Sequence, residues 1–158
     1  MKSKLIMALM CVGIFTASVS AYGASDYAMY ESAMSVNRCD DDSKQAEALL
    51  REAISEVEVP MYAGDGIVIT AIYIKGDYLT YRAECDETII DIDLLNSLKS
   101  TLKDSLISEL QSQSDLSMTF LVRLCIMANK GLCYIYVGDT TGDTCTVYIH
   151  CSELSKLL

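Results

Sequence analysis

Two runs of β-forming residues joined by a two-residue turn are the feature that most restricts the fold. The runs are residues 67–75 and 78–85, and the dipeptide Gly76-Asp77 lies between them. Glycine at the first central position suits a tight hairpin turn, which pairs the two residues that flank it. The first run is apolar at both alternating sets of positions, as is typical of a strand inside a sheet.

The register of this hairpin predicts two faces, because successive side chains of a strand point to opposite sides. One face carries Val68, Thr70, Ile72, Ile74, Leu79, Tyr81, Ala83 and Cys85. The other carries Ile67, Ile69, Ala71, Tyr73, Tyr78, Thr80, Arg82 and Glu84.

A second hairpin is predicted near the C-terminus, where residues 131–137 and 144–151 flank the turn sequence GDTTGD. Glycine and aspartate are ordinary turn residues, so this loop is interpreted as a turn and not as a calcium site. Apolar and sulfur side chains alternate here with aromatic and polar ones. The alternation predicts that Tyr134, Tyr136, Tyr148 and His150 share the face opposite the core.

Apolar residues at helical spacing predict the remaining elements. Helices are expected after the acidic run at residues 40–42, over residues 91–110 and 114–128, and in a last turn at residues 152–158. The predicted fold class is α+β. Its two β-hairpins form a four-stranded antiparallel sheet, and the helices pack on one face of that sheet.

The N-terminal 21 residues have the pattern of a signal peptide. Lys2 and Lys4 precede an apolar stretch at residues 5–19, and small residues at positions 19 and 21 fit the cleavage rule. The sequence predicts a signal peptide at 1–21, an N-terminal arm or helix at 22–39, and a single α+β domain at 40–158. The protein is therefore expected to be exported to the periplasm or beyond, with no stable membrane span after cleavage.

The formal net charge of −10 argues against two classes of partner. Nucleic acids and anionic membranes both attract clustered lysine and arginine, which this chain lacks. A protein or a glycan remains as the expected partner, and a homo-oligomer stays open.

Six cysteines follow the predicted signal peptide, and an even number in an exported protein indicates disulfides. The candidates are Cys39, Cys85, Cys125, Cys133, Cys145 and Cys151. At least two bridges are expected, although buried free thiols are the alternative. No pair has the C-x-x-C spacing of a redox or zinc motif.

No catalytic or metal site is predicted from these cysteines and the single histidine. His150 points away from Cys151 in an extended strand, so the two cannot form a catalytic pair. The same alternation prevents four ligands from converging on one zinc ion. No cofactor is expected. The densest acidic cluster is Asp86, Glu87, Asp91 and Asp93. It is interpreted as helix-start electrostatics, and paired catalytic carboxylates stay open.

The face opposite the core is the predicted binding surface. Its members are Tyr78, Arg82, Tyr134, Tyr136, Tyr148 and His150. A flat, tyrosine-rich surface of this kind binds proteins or glycans. The alternatives are that tyrosine serves only as a good strand residue, or that a second helix layer covers this face.

The span from Val59 to Leu154 resembles a family of small exported bacterial α+β domains of unknown function. The resemblance is carried by a proline before the first strand, a G-x-x-L-x-Y strand and a closing G-L-x-Y-x-Y strand. In this chain these are Pro60, Gly76, Leu79, Tyr81, Gly131, Leu132, Tyr134 and Tyr136. The resemblance implies export and an α+β layout, and it implies no activity.

The sequence therefore predicts a non-catalytic exported module that binds a protein or a glycan. A small hydrolase or metal-dependent enzyme is one alternative, using the acidic cluster or a free thiol. A structural or oligomerising subunit of the cell envelope, pairing through a sheet edge, is the other.

Overall fold

The structure, a computed structural model, describes residues 39–112 and 116–157, with side chains from residue 42 to 112 and again from residue 120. The predicted signal peptide and nearly all of the N-terminal arm lie outside these residues. None of the described helices has the length and apolar character needed to cross a bilayer.

Five helices and five strands are described. The helices are α1 (Cys39–Ser55), α2 (Ile92–Ser97), α3 (Lys99–Ser112), α4 (Leu116–Met127) and α5 (Cys151–Leu154). The strands are β1 (Met61–Gly64), β2 (Ile67–Lys75), β3 (Tyr78–Cys85), β4 (Gly131–Gly138) and β5 (Thr144–Ile149). The single helix predicted over residues 91–110 is two helices, because α2 ends at Ser97, Leu98 is its C-cap, and α3 starts at Lys99.

The sheet has five strands in the order β1-β2-β3-β4-β5, and this corrects the prediction of four antiparallel strands. The extra strand is β1, a short edge strand paired antiparallel with β2. The central pair, β3 and β4, is parallel. Helices α2 to α4 connect these two strands, and a long helical crossover of this kind returns the chain to the end of the sheet where β3 began. The class remains α+β, with a mixed sheet that is mostly antiparallel.

A β-bulge in β2 changes which residues of that strand are buried. The register with β3 shifts between Ile69 and Ala71, so Thr70 is the extra residue. Ile72 and Ile74 lie on the predicted core side, whereas Ile67 and Ile69 take the places expected for Val68 and Thr70. The uninterrupted alternation predicted for β2 is therefore wrong in its first half.

The β4–β5 hairpin also differs in register from the prediction. Val137 pairs with Thr144 across the turn, so Tyr136 pairs with Cys145 and Tyr134 pairs with Val147. Tyr134 and Tyr136 thus share the face of Leu132, Val147 and Ile149. Both tyrosines are buried, at 8% and 1% exposure.

The core lies between this face of the sheet and the helices. The buried sheet residues include Leu79, Tyr81, Leu132, Tyr134, Tyr136, Val147 and Ile149, and α3 adds Leu102, Leu106 and Leu110. The rings of Tyr81 and Tyr134 stack with their centroids 5.2 Å apart. Burial raises the pKa of Tyr81 well above its usual range, and Cys125 of α4 lies near enough to contribute. Helix α4 contacts β4, the strand that carries Tyr134.

Candidate binding surface

The other side of the sheet forms a surface that we call the open face. The strand register and the alternation of side chains show which residues belong to this face. It comprises Tyr62, Val68, Ala71, Tyr73, Lys75, Tyr78, Thr80, Arg82, Glu84, Cys133, Ile135, Val137, Thr144, Thr146 and Tyr148. Most of these residues are exposed or half-buried, with Tyr62 at 80% and Tyr148 at 43% exposure.

Tyr78, Tyr148 and His150 meet at one end of the open face, and we call them the aromatic cluster. The ring centroids of Tyr78 and Tyr148 are 5.0 Å apart, with the planes tilted by 59°. The Tyr78 hydroxyl is hydrogen-bonded to Nδ1 of His150 at 2.7 Å. His150 lies just beyond β5, so this bond ties the start of β3 to the end of the last hairpin.

The backbone around His150 is held by helix α5. His150 precedes the first turn of this helix, and its N–H donates to Oε2 of Glu153 at 2.8 Å. The same carboxylate accepts a hydrogen bond from Lys103 Nζ at 2.8 Å. The Lys103 ammonium and the His150 N–H both lower the pKa of Glu153. The histidine of the cluster is therefore positioned by an ion pair between α3 and α5.

Gly131 is the residue that lets the Tyr78 ring reach the other two. A Cβ atom at Gly131 would lie 2.9 Å from Cε1 of Tyr78 and 2.4 Å from the Ile149 carbonyl oxygen. The ring therefore lies across β4 at the position that has no side chain. Gly131 is not needed to end the preceding helix, because Asn129 takes the left-handed conformation there, with φ of 53°. A glycine at the start of an apolar strand was the signal for the close approach.

Cys133 lies beside Tyr148 on the open face, on the neighbouring strand. It pairs with Thr80 on one side and with Tyr148 on the other, and it is 3% exposed. Burial raises the pKa of Cys133, and hydrogen bonds with the Thr80 and Tyr148 hydroxyls only partly oppose this rise. The thiol is therefore protonated near neutral pH and is not an activated nucleophile.

The described cysteines correct the prediction of at least two disulfides. Cys85, Cys125, Cys133, Cys145 and Cys151 are free thiols in the structure, whereas the side chain of Cys39 lies outside the described part. Cys133 and Cys145, expected on one face, lie on opposite faces because of the hairpin register. Four of the five are buried and serve as small apolar residues.

Alkaline pH should destabilise the domain through two of these thiols. Burial raises the pKa of Cys85 and Cys125 to about 12, from an ordinary value of 9.0. Between these values the unfolded chain has released protons that the folded chain retains. We therefore expect the free energy of unfolding to be independent of these thiols below pH ~8 and to fall as pH rises from about 9 toward 12.

Urea unfolding of the full chain at several pH values above neutrality checks this prediction. The matched control is the double variant Cys85→Ala/Cys125→Ala, whose tyrosines still titrate as in the original chain. Its unfolding free energy should fall less steeply with pH. Equal slopes for the two proteins would show that these thiols do not contribute.

The acidic cluster is engaged in local structure. Asp91 Oδ1 accepts a hydrogen bond from the Leu94 N–H at the start of α2, at 3.0 Å. Asp86 Oδ1 accepts from the Thr88 N–H, at 2.9 Å. Hydrogen bonds from Thr88 lower the pKa of Asp86. The helix-start interpretation is thus confirmed for Asp91, while Asp86 stabilises a turn.

Glu87 binds residues that are distant in the sequence, and it closes the β4–β5 turn. Its carboxylate accepts the N–H groups of Thr140 and Thr141, both at 2.7 Å, and the Thr141 hydroxyl at 2.8 Å. These bonds lower the pKa of Glu87. A general acid requires a raised pKa, so neither Asp86 nor Glu87 has the expected property of one. Among the described side chains, no group of three or more His, Cys, Asp or Glu is placed to hold a metal ion.

The structure thus divides the predicted binding residues into two sets. Tyr78, Arg82, Tyr148 and His150 lie on or beside the open face, where Arg82 Nη1 donates to the Thr70 hydroxyl at 3.2 Å. Tyr134 and Tyr136 belong to the core. Tyr62, the most exposed tyrosine of the described residues, was missed because strand β1 was not predicted.

Comparison with known proteins adds evidence on the fold alone. No protein-family model matches the chain, and no curated protein matches it. The family resemblance noted from the sequence is therefore unsupported at the level of a family. A crystal structure from Pseudomonas aeruginosa, described as that of a candidate secreted protein, superposes with a TM-score of 0.53 at 13% identity. The match covers 76% of this chain and 98% of that one, so the two share an α+β fold.

Proposed function

We propose that this chain is an exported, non-catalytic module that binds a protein partner through the open face. The observation that carries the proposal is the exposure of tyrosines on a sheet surface that the described helices leave uncovered, above all Tyr148 and Tyr62. Tyrosine and arginine are the residues enriched in protein interfaces and their hot spots. Arg82 adds a guanidinium between the two tyrosines.

The shape of the aromatic cluster favours a protein over a glycan. The rings of Tyr78 and Tyr148 are tilted by 59°, so they do not form one flat platform on which a sugar ring could stack. A protein surface, with side chains of many shapes, fits such an uneven patch better.

Pairing through a sheet edge, as a structural subunit would require, has less support. The Nδ2 group of Asn96 donates to the Thr144 carbonyl at 3.0 Å, so α2 occupies part of the β5 edge. The opposite edge strand, β1, has only four residues. Short or covered edges are the usual protection against edge-to-edge association.

Export rests on the chain's own N-terminal sequence. Lysines at positions 2 and 4, the apolar stretch at residues 5–19 and the small residues after it support cleavage near Ala21. The Pseudomonas aeruginosa protein is described as a candidate secreted protein, which agrees with this proposal.

Site-specific photocrosslinking in the producing cell tests the binding function. The photoreactive amino acid p-benzoylphenylalanine replaces Tyr148 in one variant and the exposed Lys44 of α1 in a control variant. We expect light to produce a covalent adduct with another protein at position 148 and none at position 44. Mass spectrometry of the adduct identifies what was captured.

Three outcomes would contradict the proposal. An adduct between two copies of this chain at position 148 would indicate the structural-subunit alternative. An adduct with a glycan would replace the protein partner. The absence of any adduct at position 148, with the variant folded and exported, would show that the open face is not an interface.

A further inference from the structure

The described chain begins close to the aromatic cluster. Lys130 Nζ donates a hydrogen bond to the Gly76 carbonyl at 2.9 Å, and it pairs with Glu47 of α1 at 3.2 Å. Gly76 lies two positions before Tyr78 of the cluster. Glu47 is the ninth residue of α1, so this helix starts about 12 Å along its axis from the ion pair. The chain that precedes α1 therefore joins the domain near the end of the sheet that holds the cluster.

The segment that precedes α1 is long enough to reach the open face. If the signal peptide is cleaved after Ala21, residues 22–38 lead into α1 in the exported protein, and they lie outside the described residues. Fully extended, a segment of this length spans about 56 Å, whereas a small domain is about 30 Å across. The segment can therefore pass around the end of the sheet, from the side of the helices to the open face.

The composition of residues 22–38 favours burial against an apolar surface. Its large apolar and aromatic residues are Tyr22, Tyr27, Met29, Tyr30, Met34 and Val36. Its charged residues are only Asp26, Glu31 and Arg38. Solvated tails have the opposite composition, with much charge and few aromatic residues. Tyr27, Tyr30 and Met34 also have the spacing of one helix face, which would present all three side chains together.

The exposed aromatic surface at this end of the sheet is the aromatic cluster. Among the described large apolar side chains, the exposed ones are Val59, Tyr62 and Tyr148. Tyr62 pairs with Val68 at the start of β2, and Val59 lies just before the same edge strand, so both belong to the other end of the sheet. Tyr148 instead contacts the ring of Tyr78. Methionine sulfur packs favourably against aromatic rings, so this pair suits the segment.

We propose that residues 22–38 fold back over this end of the sheet and cover the aromatic cluster of the same chain, with Tyr27, Tyr30 and Met34 against its rings. The inference rests on the proposed function and adds its regulation, because the protein partner must displace the segment to reach Tyr148. A short tether gives the segment an effective concentration in the millimolar range, so a weak contact is enough to hold it. The cover protects an exposed aromatic surface from unspecific association until the partner binds.

Photocrosslinking within the purified exported chain tests the inference. The photoreactive amino acid p-benzoylphenylalanine replaces Tyr148 in one variant, and in a control variant it replaces Tyr62, at the other end of the same face. Arg38 is the only Lys or Arg of residues 22–38, so trypsin releases this segment as one peptide. We expect light to join position 148 to this peptide within a single chain, with the mass of one chain retained. No such link is expected from position 62.

Two sets of substitutions identify the side chains that form the cover. Tyr27→Ser/Tyr30→Ser/Met34→Ser should abolish the link from position 148. The matched control, which should retain the link, changes three serines of the same segment: Ser25→Gln/Ser32→Gln/Ser35→Gln. In the producing cell, the first set should also raise the yield of partner adduct at position 148, on the order of tenfold, because a partner gains affinity in proportion to the uncovered population. Circular dichroism confirms that each variant is folded.

The outcomes separate this inference from the proposed function. The cover would be overturned by the absence of a link between position 148 and residues 22–38, by a product with the mass of two chains, or by a link that survives the first set of substitutions. Capture of a partner in the cell would then leave the proposed function standing. An internal link without a captured partner in any variant would overturn the proposed function, and the regulatory role with it.

Discussion

Replacing Gly131 by alanine is expected to lower the free energy of unfolding by about 3 kcal/mol, the upper end of the usual range for overpacking. The added Cβ would lie 2.4 Å from the carbonyl oxygen of Ile149, a backbone atom of the adjacent strand that cannot turn away. It would also meet the Tyr78 ring at 2.9 Å. Urea unfolding of the full chain measures the loss.

Gly138→Ala is the matched control, because it adds the same atom at the other end of the same strand. There the Cβ would lie 2.5 Å from the Glu87 carboxyl carbon, the far end of a flexible side chain. Glu87 can move at the expense of its hydrogen bonds to the turn, so we expect a smaller loss than for Gly131→Ala. Equal losses, or no loss for Gly131→Ala, would mean that β4 and β5 are not packed this closely.

Replacing Tyr136 by serine is expected to cost about 3–5 kcal/mol, as for other large aromatic side chains removed from a core. Tyr136 is 1% exposed and belongs to the central cluster. A typical domain is stable by about 5–15 kcal/mol, so this variant should unfold at much lower urea concentration. Denaturant unfolding followed by circular dichroism provides the measurement.

Tyr148→Ser provides the comparison, since it makes the same substitution on the neighbouring strand. Tyr148 is 43% exposed on the open face, and a surface change of this kind usually alters stability by about 0.5 kcal/mol or less. The tilted contact with Tyr78 adds a small further loss. If Tyr148→Ser were the more destabilising of the two, the assignment of the two faces would be wrong.

This contrast shows where sequence reasoning was sufficient and where it was not. The turn at Gly76-Asp77 and the pairing of Lys75 with Tyr78 were predicted from residue types, and the structure confirms them. Local turn chemistry determines such a pairing, so it can be derived from a few adjacent residues. The second hairpin has a longer loop, residues 139–143, and the residue types do not specify the register of the strands that it joins. One step in that register moved Tyr134 and Tyr136 from the expected surface into the core.

The bulge at Thr70 was unpredictable for a similar reason. In residues 67–74 both alternating sets of positions are largely apolar, so either set could be buried. A bulge changes which set faces the core without placing a polar residue there. The disulfide prediction failed because buried cysteine and bridged cysteine look the same in a sequence. Only the positions of the thiols in the fold distinguish the two.

Predicting the candidate site required knowledge of the tertiary structure, whereas predicting the fold class did not. Tyr78 and His150 are 72 positions apart, and only the parallel pairing of β3 with β4 brings them together. Each residue was selected from the sequence as a surface residue, but their hydrogen bond was not foreseen. Gly131 has no side chain to suggest a role, and its importance follows from the Tyr78 ring that lies over it.

The parallel pairing at the centre of the sheet determines at which stage of folding the aromatic cluster forms. Antiparallel hairpins close locally, whereas joining β3 to β4 requires the intervening helices to bring distant parts of the chain together, which is slow. Either hairpin formed alone would contain Tyr78 or His150, but not both. The aromatic cluster therefore forms only once β3 has joined the β4–β5 hairpin, and a chain in which the two hairpins have formed separately would present no such cluster.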